Sequence, residues 1–490
     1  MKTNPPNIIL ILADQMRGDC LGAAGHPVVE TPFLDYLASR GAFFRRAYSA
    51  VPSCLPARAI LWTGQDQWHT GVLGMGPGGI PIPNDFPHTL PGEFRNAGYR
   101  VHLVGKGHFH PPRTSMGFET AELDEEARLP DCDYRRWFAR EAPEGVTPDD
   151  HGVHFNSWHA HPWHTEERLH PTAWTLWRAL EFLRRRDRSR PYFLNISFTR
   201  PHSPYAPPAW YFDRYYRRAT PPPVVGDWAS RHDDPFTALD PNAWRGQMRP
   251  EAIHRARSGY LGEISFLDTQ IGRLLHFFER EDPESFRRTW IIFTSDHGDM
   301  QGDHHLWRKT YAYEGSARIP LLIVPPLRSE FPIADHRPDA CVELRDLMPT
   351  ILEAAGLPIP PTVEGLSLLP LLRGERAPFR PYVHGEHLAC YAPEMEMHYL
   401  TDGRRKFIWY SRTGEEQFFD LEQDPGECHN RIEDPARQSE IALWRNRLTE
   451  ILEQRTCGWV RNGRPFRVGT DPLRSPWADR RWPGPRVEEP

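Results

Sequence analysis

The sequence predicts an α/β fold, with a large, mostly parallel or mixed central sheet that carries helices on both faces, followed by a smaller antiparallel sheet with a helix. Two observations lead to this prediction. Short apolar runs alternate with longer segments of helical periodicity, which is the pattern of strands covered by helices. The runs also lack polar–apolar alternation, as strands buried on both faces do. The five clearest strands are predicted at residues 8–12, 99–104, 192–198, 290–294 and 320–324.

Helices are predicted where the apolar periodicity has recognisable ends. Thr31 and Pro32 are typical of a helix start, and Gly41 is typical of a helix end. The same reasoning predicts helices at residues 171–185, 252–281 and 344–355. These helices alternate with the predicted strands.

The pattern changes after about Arg373. Short strand signals follow, and then a helical pattern, at residues 382–384, 397–401, 406–410, 417–421 and 435–452. We therefore predict a catalytic α/β domain at residues 1–372 and a small antiparallel-sheet subdomain with its tail at residues 373–490. The basic, proline-rich segment beyond Gly458 is interpreted either as an ordered tail or as an oligomer contact.

The composition limits the compartment and the partners. A formal net charge of −6 and an apolar fraction of 39% fit a folded protein and argue against a nucleic-acid partner. The seven cysteines form no Cys-x-x-Cys pair and are odd in number, which disfavours a disulfide framework and a thiolate zinc site. The first apolar run is too short for a signal sequence or a membrane span. We expect a cytoplasmic protein without a membrane partner, although a signal removed earlier would leave no trace.

Polar side chains directly follow four of the predicted strands. In chain order they are Asp14, then Lys106 and His108, then His202, and then Asp296 with His297. Taken singly, each has an ordinary structural explanation, such as a helix cap or a loop hydrogen bond. Ligands of open α/β sheets bind at the carboxyl ends of the strands, however, so four such coincidences favour one common site.

The residue types indicate a metal ion and an oxyanion. Asp14, Asp296 and His297 offer oxygen and imidazole ligands without a thiolate pair, which suits Ca²⁺, Mg²⁺ or Mn²⁺ better than structural zinc. Three further side chains add positive charge, namely Lys106, Lys309 and Arg58. So much positive charge matches a tetrahedral sulfate or phosphate group in the substrate.

The segment Pro52-Ser53-Cys54-Leu55-Pro56-Ala57-Arg58, with Thr63-Gly64 after it, resembles the signature of the type I sulfatases of the alkaline phosphatase superfamily. In that family a maturation enzyme oxidises the cysteine to formylglycine. Pro56 is expected in the first turn of a helix, so that Cys54 lies near its positive end. Further blocks resemble the family in order along nearly the whole chain, at residues 7–14, 105–108, 201–202, 295–299, 306–309 and 419–425.

The resemblance implies a sulfatase that hydrolyses an aryl or carbohydrate sulfate monoester through formylglycine made from Cys54. It implies one divalent metal ion, with Ca²⁺ favoured over Mn²⁺ and Mg²⁺, and a set of ligands comprising Asp14, Asp296, His297 and the modified Cys54. The implied catalytic and sulfate-contacting side chains are Arg58, Lys106, His108, His202 and Lys309. The expected partners are a small-molecule or carbohydrate sulfate ester and a formylglycine-generating enzyme, with a homo-oligomer also compatible with the sequence.

The chemistry of a hydrated aldehyde suggests a division of roles among these side chains. Asp296 would relieve the attacking hydroxyl of its proton, and His202 or Lys309 would protonate the departing alcohol. His108 would then remove the proton of the second hydroxyl. Arg58 would hold the diol in place.

Two residues depart from the common family pattern. Gln15 stands where many sulfatases have a second aspartate, and His297 stands where many have asparagine. Relatives that hydrolyse phosphonate monoesters and phosphodiesters share these features, so such a hydrolase is the alternative prediction. An inactive anion-binding protein is the third alternative, although binding alone needs no nucleophile with acid–base partners. Two segments are candidates for a substrate wall, namely residues 151–170, which contain six histidines, and residues 205–240. An ordinary polar loop is the simpler interpretation of residues 151–170.

Overall fold

The computed structural model describes residues 5–75, 86–326, 331–375, 379–455, 457–467, 469, 471 and 473–478. The strands of these residues are β1 (Asn7–Asp14), β2 (Ala42–Phe43), β3 (Ala47–Tyr48), β4 (Arg100–Gly105), β5 (Thr120–Leu123), β6 (Tyr192–Pro201), β7 (Thr289–Ser295), β8 (Arg318–Ile319), β9 (Leu321–Val324), β10 (Val342–Glu343), β11 (Val383–His387), β12 (Met397–Thr401), β13 (Arg405–Tyr410), β14 (Glu416–Asp420), β15 (Val460–Arg461) and β16 (Arg464–Pro465). The α-helices are α1 (Pro32–Arg40), α2 (Cys54–Thr63), α3 (Gln67–Thr70), α4 (Leu90–Asn96), α5 (Asp133–Glu141), α6 (Pro171–Arg185), α7 (Ala209–Tyr216), α8 (Pro250–Arg280), α9 (Pro283–Phe286), α10 (Glu314–Ala317), α11 (Leu347–Ala354), α12 (Leu369–Leu372) and α13 (Gln438–Gln454).

A seven-stranded sheet has the order β2-β9-β7-β1-β6-β4-β5. Strands β7, β1, β6, β4 and β5 are parallel, whereas β9 is antiparallel to β7 and β2 is antiparallel to β9. The expectation that residues 320–324 form a parallel strand is therefore wrong. Strand β9 lacks polar alternation because all four of its residues are buried, which an antiparallel strand inside a covered sheet also requires.

Helices cover both faces of this sheet, as the sequence predicts. Along β1, Ile9 and Ile11 pack into an apolar cluster with α1, α6 and α8. The alternate residues, Ile8 and Leu10, pack into a second cluster with α2, α4 and α11. The predicted helix at residues 344–355 begins instead with a 3₁₀ turn at Leu344–Asp346, and α11 follows it.

The C-terminal strands form a separate antiparallel sheet in the order β11-β12-β13-β14, against which α13 packs. This sheet contacts the segment that leads into α2, because Tyr399 Oη donates to the Ser49 carbonyl at 2.7 Å. Ser475 Oγ donates to the Trp68 carbonyl, so this part of the predicted tail contacts the body of the protein. Residues 479–490 lie outside the described residues. The domain boundary after residue 372 stays a prediction.

Among the described residues, no helix combines the length and apolar character needed to cross a membrane. All seven cysteines are described, and each is a free thiol.

Candidate active site

The candidate site lies where four neighbouring parallel strands end. Strands β7, β1, β6 and β4 are consecutive in the sheet, so their carboxyl ends share one edge. A cavity of about 140 Å³ opens at this edge. Its walls include five of the side chains predicted from the sequence, namely Cys54, Lys106, His108, His202 and Lys309.

The four predicted metal ligands converge beneath this cavity. One potential ligand atom from each of Asp14, Cys54, Asp296 and His297 lies within 4.8 Å of the others. His297 Nε2 is 3.1 Å from Cys54 Sγ and 3.5 Å from the nearer oxygen of Asp14. Its Nδ1 is 2.9 Å from the Gly298 carbonyl, an arrangement in which Nδ1–H donates and Nε2 is left for a metal ion. Two carboxylates with one imidazole fit a hard divalent cation.

Cys54 is the first residue of α2, and Pro56 lies in the first turn as the sequence predicts. The side chain of Ser53, the residue before it, contacts His387 Nε2 at 2.8 Å instead of capping the helix. The first backbone N–H groups of a helix attract negative charge. Burial and Asp14 favour the neutral thiol, but Lys309 and Lys106 outweigh them and hold the pKa of Cys54 below its ordinary value.

Arg58 lies one turn further along α2 and is fully buried. Its Nε donates to Asp296 Oδ2 at 3.0 Å, and its Nη1 donates to the Lys106 carbonyl at 2.6 Å. Nη2 lies 4.0 Å from Asp14 and has no hydrogen-bond partner among the described residues. The guanidinium therefore positions the carboxylate of Asp296. Only its Nη2 is left to hold the diol, which is the role that the sequence predicts for Arg58.

Both oxygens of Asp296 are occupied. Oδ2 accepts from Arg58, while Oδ1 accepts from the backbone N–H groups of Gln15 at 3.2 Å and His297 at 3.1 Å. Three donors thus fix the orientation of the Asp296 carboxylate. Its role as a base stays a prediction.

Lys106 forms an ion pair with Asp14 at the end of β4. Burial alone would raise the pKa of Asp14, but the cations of Lys106 and Lys309 lower it to well below its usual range. Gly105 permits the chain to turn here, because it has φ 99° and a Cβ at this position would lie 2.0 Å from the Ser197 carbonyl. The glycine of this motif is thus required by the backbone.

Lys309 Nζ has three neighbours in the site. It lies 2.8 Å from His202 Nε2, 2.8 Å from Gln15 Oε1 and 3.2 Å from Cys54 Sγ. Burial, with Lys309 nearby, lowers the pKa of His202 well below its usual value, so the ring is neutral. His202 Nδ1 is 2.8 Å from the Ser203 carbonyl and is therefore the nitrogen that carries the hydrogen, which makes Nε2 an acceptor from Lys309.

Gln15 lies outside the four-residue cluster. Its Oε1 accepts from Lys309, and its Nε2 donates to Asp299 Oδ2. Tyr205 Oη donates to the same oxygen of Asp299 at 2.6 Å. These contacts orient the Gln15 amide with its oxygen toward Lys309. The sequence left open whether Gln15 ligates the metal ion, and that question stays open.

His108 lines the cavity from a backbone conformation with φ 57°, which is uncommon for a residue with a side chain. Its backbone N–H donates to Glu125 Oε1 at 2.7 Å, and its Nδ1 has no hydrogen-bond partner among the described residues. Burial, with Arg128 and Lys106, lowers the pKa of His108 well below its ordinary value. A neutral imidazole with an unpaired nitrogen can accept a proton from a ligand.

Several cavity residues were not singled out in the sequence. Glu126, Asn156, Cys390 and Tyr391 all contribute to the wall. Asn156 belongs to the predicted substrate segment 151–170, but the isolated cysteine and tyrosine carry no pattern. They reach the site only because the C-terminal part of the chain folds against the central sheet.

The family model described as Sulfatase matches residues 6–357, and the one described as N-sulphoglucosamine sulphohydrolase, C-terminal, matches residues 302–454. An arylsulfatase of Clostridium perfringens is 41% identical, over 93% of this chain and 96% of that protein. A choline-sulfatase of Rhizobium meliloti is 30% identical, over 94% and 88% of the two chains. The solved phosphonate monoester hydrolase of Agrobacterium radiobacter has a TM-score of 0.76 at 25% identity, over 96% of this chain and 99% of that one. The extent of these matches and the site geometry identify the chain as a sulfuric ester hydrolase that belongs to the sulfatase family of the alkaline phosphatase superfamily.

Proposed function

We propose that this protein hydrolyses an aryl or carbohydrate sulfate monoester with a formylglycine made from Cys54 as its nucleophile. One observation carries the proposal. Cys54 Sγ, which marks the position of the modified residue, lies at a helix N-terminus between His297 Nε2 at 3.1 Å and Lys309 Nζ at 3.2 Å. A nucleophile made from Cys54 would thus lie between the predicted metal ligands and a cation that can receive sulfate.

The donor set fits the divalent ion that the family implies. Asp14, Asp296, His297 and the modified Cys54 would hold it, and Ca²⁺ is favoured by the two carboxylates. When bound, the ion would polarise the sulfate ester and the nucleophile. The hydrate of the formylglycine would supply the attacking hydroxyl, and Asp296 would take the proton of that hydroxyl as it attacks.

The side chains of the cavity divide the remaining work. Lys106 and Lys309 would neutralise sulfate oxygens. Because His202 accepts a hydrogen bond from Lys309, we assign the protonation of the departing alcohol to Lys309 and the orientation of Lys309 to His202. The unpaired Nδ1 supports His108 as the group that takes the proton of the second hydroxyl.

A phosphonate monoester or phosphodiester hydrolase is the second candidate. The structural likeness to a phosphonate monoester hydrolase favours it, as does Gln15, whose amide stands where a second carboxylate would add negative charge. Turnover of an aryl sulfate, an aryl phosphonate monoester and an aryl phosphodiester by one metal-replete sample separates the two functions. We expect the sulfate to have the largest kcat/KM, and a wide margin for either phosphorus ester would refute the sulfatase assignment.

The nucleophile is tested by mass spectrometry of the tryptic peptide that contains residue 54, from protein co-expressed with a formylglycine-generating enzyme. We expect the aldehyde mass. Cys54→Ala should abolish turnover while the unfolding midpoint stays close to that of the wild type. Cys428→Ala, at a cysteine outside the cavity, is the matched control and should keep its activity. Unmodified cysteine in an active sample would contradict the proposed mechanism.

A further inference from the structure

A second cavity, of about 190 Å³, adjoins the first. The two share Glu126 and Phe155 in their walls. Small-molecule sites usually measure ~300–1,000 Å³. Neither cavity has such a volume alone, but their combined volume reaches the lower end of this range. A ligand with its sulfate group in the first cavity would therefore extend into the second.

The second cavity has no excess of positive charge. Arg135 donates to both oxygens of Asp149, at 2.7 and 2.8 Å. Arg200 Nη1 donates to Glu126 Oε1 at 2.7 Å. Asp124, 1% exposed, adds a third carboxyl group that accepts from Thr199 Oγ1 at 3.1 Å. Both arginines of the wall are thus already neutralised by carboxylates.

The first cavity has the opposite character, because Lys106, Lys309 and Arg308 line it. Glu126 stands between the two environments. Its Oε2 lies 3.7 Å from Lys106 Nζ, while its Oε1 contacts Arg200. Its backbone has φ 52°, an uncommon conformation for a residue with a side chain, which is typical of positions held by their surroundings at functional sites.

The uncharged part of the wall suits a ring that bears hydroxyl groups. Tyr134, Phe155 and Trp163 supply aromatic surface, on which the apolar faces of a ring can pack. The indole Nε1–H of Trp163 is buried and has no hydrogen-bond partner among the described residues. Hydroxyl groups can accept from such a donor and can donate to the carboxylates of Asp124 and Glu126. A second anionic group on the ring would meet carboxylates, and the two arginines that the structure describes in this wall are already paired with Asp149 and Glu126.

We propose that this second cavity binds the organic part of the sulfate ester and selects a sugar ring that carries no further anionic group. The inference rests on the proposed sulfatase function and names the substrate class of the same site. Glu126 is assigned as the specificity-determining residue at the junction. It would accept a hydrogen bond from a hydroxyl of the ring and repel a second anionic group on that ring.

The test compares kcat/KM of the matured, metal-replete enzyme for three substrates. These are glucose 6-sulfate, glucosamine 2-N,6-O-disulfate and 4-nitrophenyl sulfate. We expect glucose 6-sulfate to exceed the disulfate by at least ~10-fold, because like charges at a binding site cost several kcal/mol. Asp149→Asn should narrow that ratio by ~10-fold, since Arg135 would then be unpaired and able to receive the second sulfate. Glu284→Gln, at an exposed carboxylate on α9, is the matched control and should leave the ratio unchanged.

Trp163→Phe gives a second measurement that does not depend on charge. It removes the unpaired indole N–H and should raise KM for glucose 6-sulfate more than KM for 4-nitrophenyl sulfate. A wild-type preference for the disulfate, or an unchanged ratio in Asp149→Asn, would overturn this inference while the sulfatase function stands. Turnover of none of the three esters would overturn the sulfatase function and this inference with it.

Discussion

Replacing Lys309 by methionine tests which side chain protonates the departing alcohol. Methionine keeps an unbranched side chain, shorter by the terminal nitrogen, and removes both the charge and the protons. In the structure the three protons of the Lys309 ammonium group have three neighbours, which are His202 Nε2, Gln15 Oε1 and Cys54 Sγ, at 2.8, 2.8 and 3.2 Å. The proton directed toward Cys54 is the one that lies nearest the position of the proposed nucleophile.

Losing the charge of Lys309 and losing its protons should lower kcat/KM in ways that depend differently on the substrate. Loss of the charge weakens sulfate binding by the same factor for every ester. Loss of the proton matters only where the alcohol is a poor leaving group, as in an alkyl or sugar sulfate. General acid catalysis contributes ~10²–10⁴-fold, or ~3–5 kcal/mol. We therefore expect the alkyl-to-aryl ratio of kcat/KM to fall by at least ~10²-fold in Lys309→Met.

The assay measures kcat/KM for 4-nitrophenyl sulfate and for a simple alkyl sulfate. Nitrophenolate is stable as an anion and needs no proton to depart. Lys106→Met is the matched control, because Lys106 pairs with Asp14 and its loss should lower both rates by one factor. His202→Gln keeps an acceptor for Lys309 and should change the ratio little.

Two results would refute this reasoning. An equal loss on both esters in Lys309→Met would mean that Lys309 supplies charge alone. A large fall in the alkyl-to-aryl ratio in His202→Gln, with little change in Lys309→Met, would make His202 the acid. In that case the hydrogen-bond direction between the two side chains would be the reverse of the one inferred from the structure.

Three further predictions concern stability. Arg58→Lys should lower the free energy of unfolding by ~3 kcal/mol or more, because one ammonium group cannot replace the hydrogen bonds from Arg58 to Asp296 and to the Lys106 carbonyl. A variant whose urea unfolding midpoint equals that of the wild type would contradict this prediction. Calcium at 100 times its Kd should stabilise the wild type by ~2.7 kcal/mol, measured as a rise in Tm, and a similar rise in Asp14→Asn would place the ion elsewhere. Burial raises the pKa of Asp268 to about 7, so between pH ~4 and ~7 the folded state binds a proton that the unfolded chain has lost, and stability falls as pH rises. Asp268→Asn should remove this fall from the pH profile of the urea midpoint, and an unchanged profile would contradict the assignment.

The sequence by itself determined the elements and residues whose signals are local. The apolar runs of β1, β4, β6 and β7 are buried on both faces, so their composition alone predicts them. The groups that follow these strands meet at one edge because parallel neighbouring strands share a direction. The block around Cys54 likewise predicts its own helix start, since proline in a first turn and an N-terminal anion site are properties of a few adjacent residues. The roles of these residues in catalysis remain predictions that the experiments above test.

The tertiary structure alone decided what depends on contacts between distant segments. The antiparallel direction of β9 has no local signal, because burial on both faces gives the same apolar run in either direction. The orientation of the Gln15 amide depends on Asp299 and Lys309, which lie almost 300 residues away along the chain. The junction at Glu126 exists only because Lys106, directly after β4, and Arg200, on β6, both contact this side chain. Such contacts are set by the packing of the whole fold, and the sequence near each residue does not encode them.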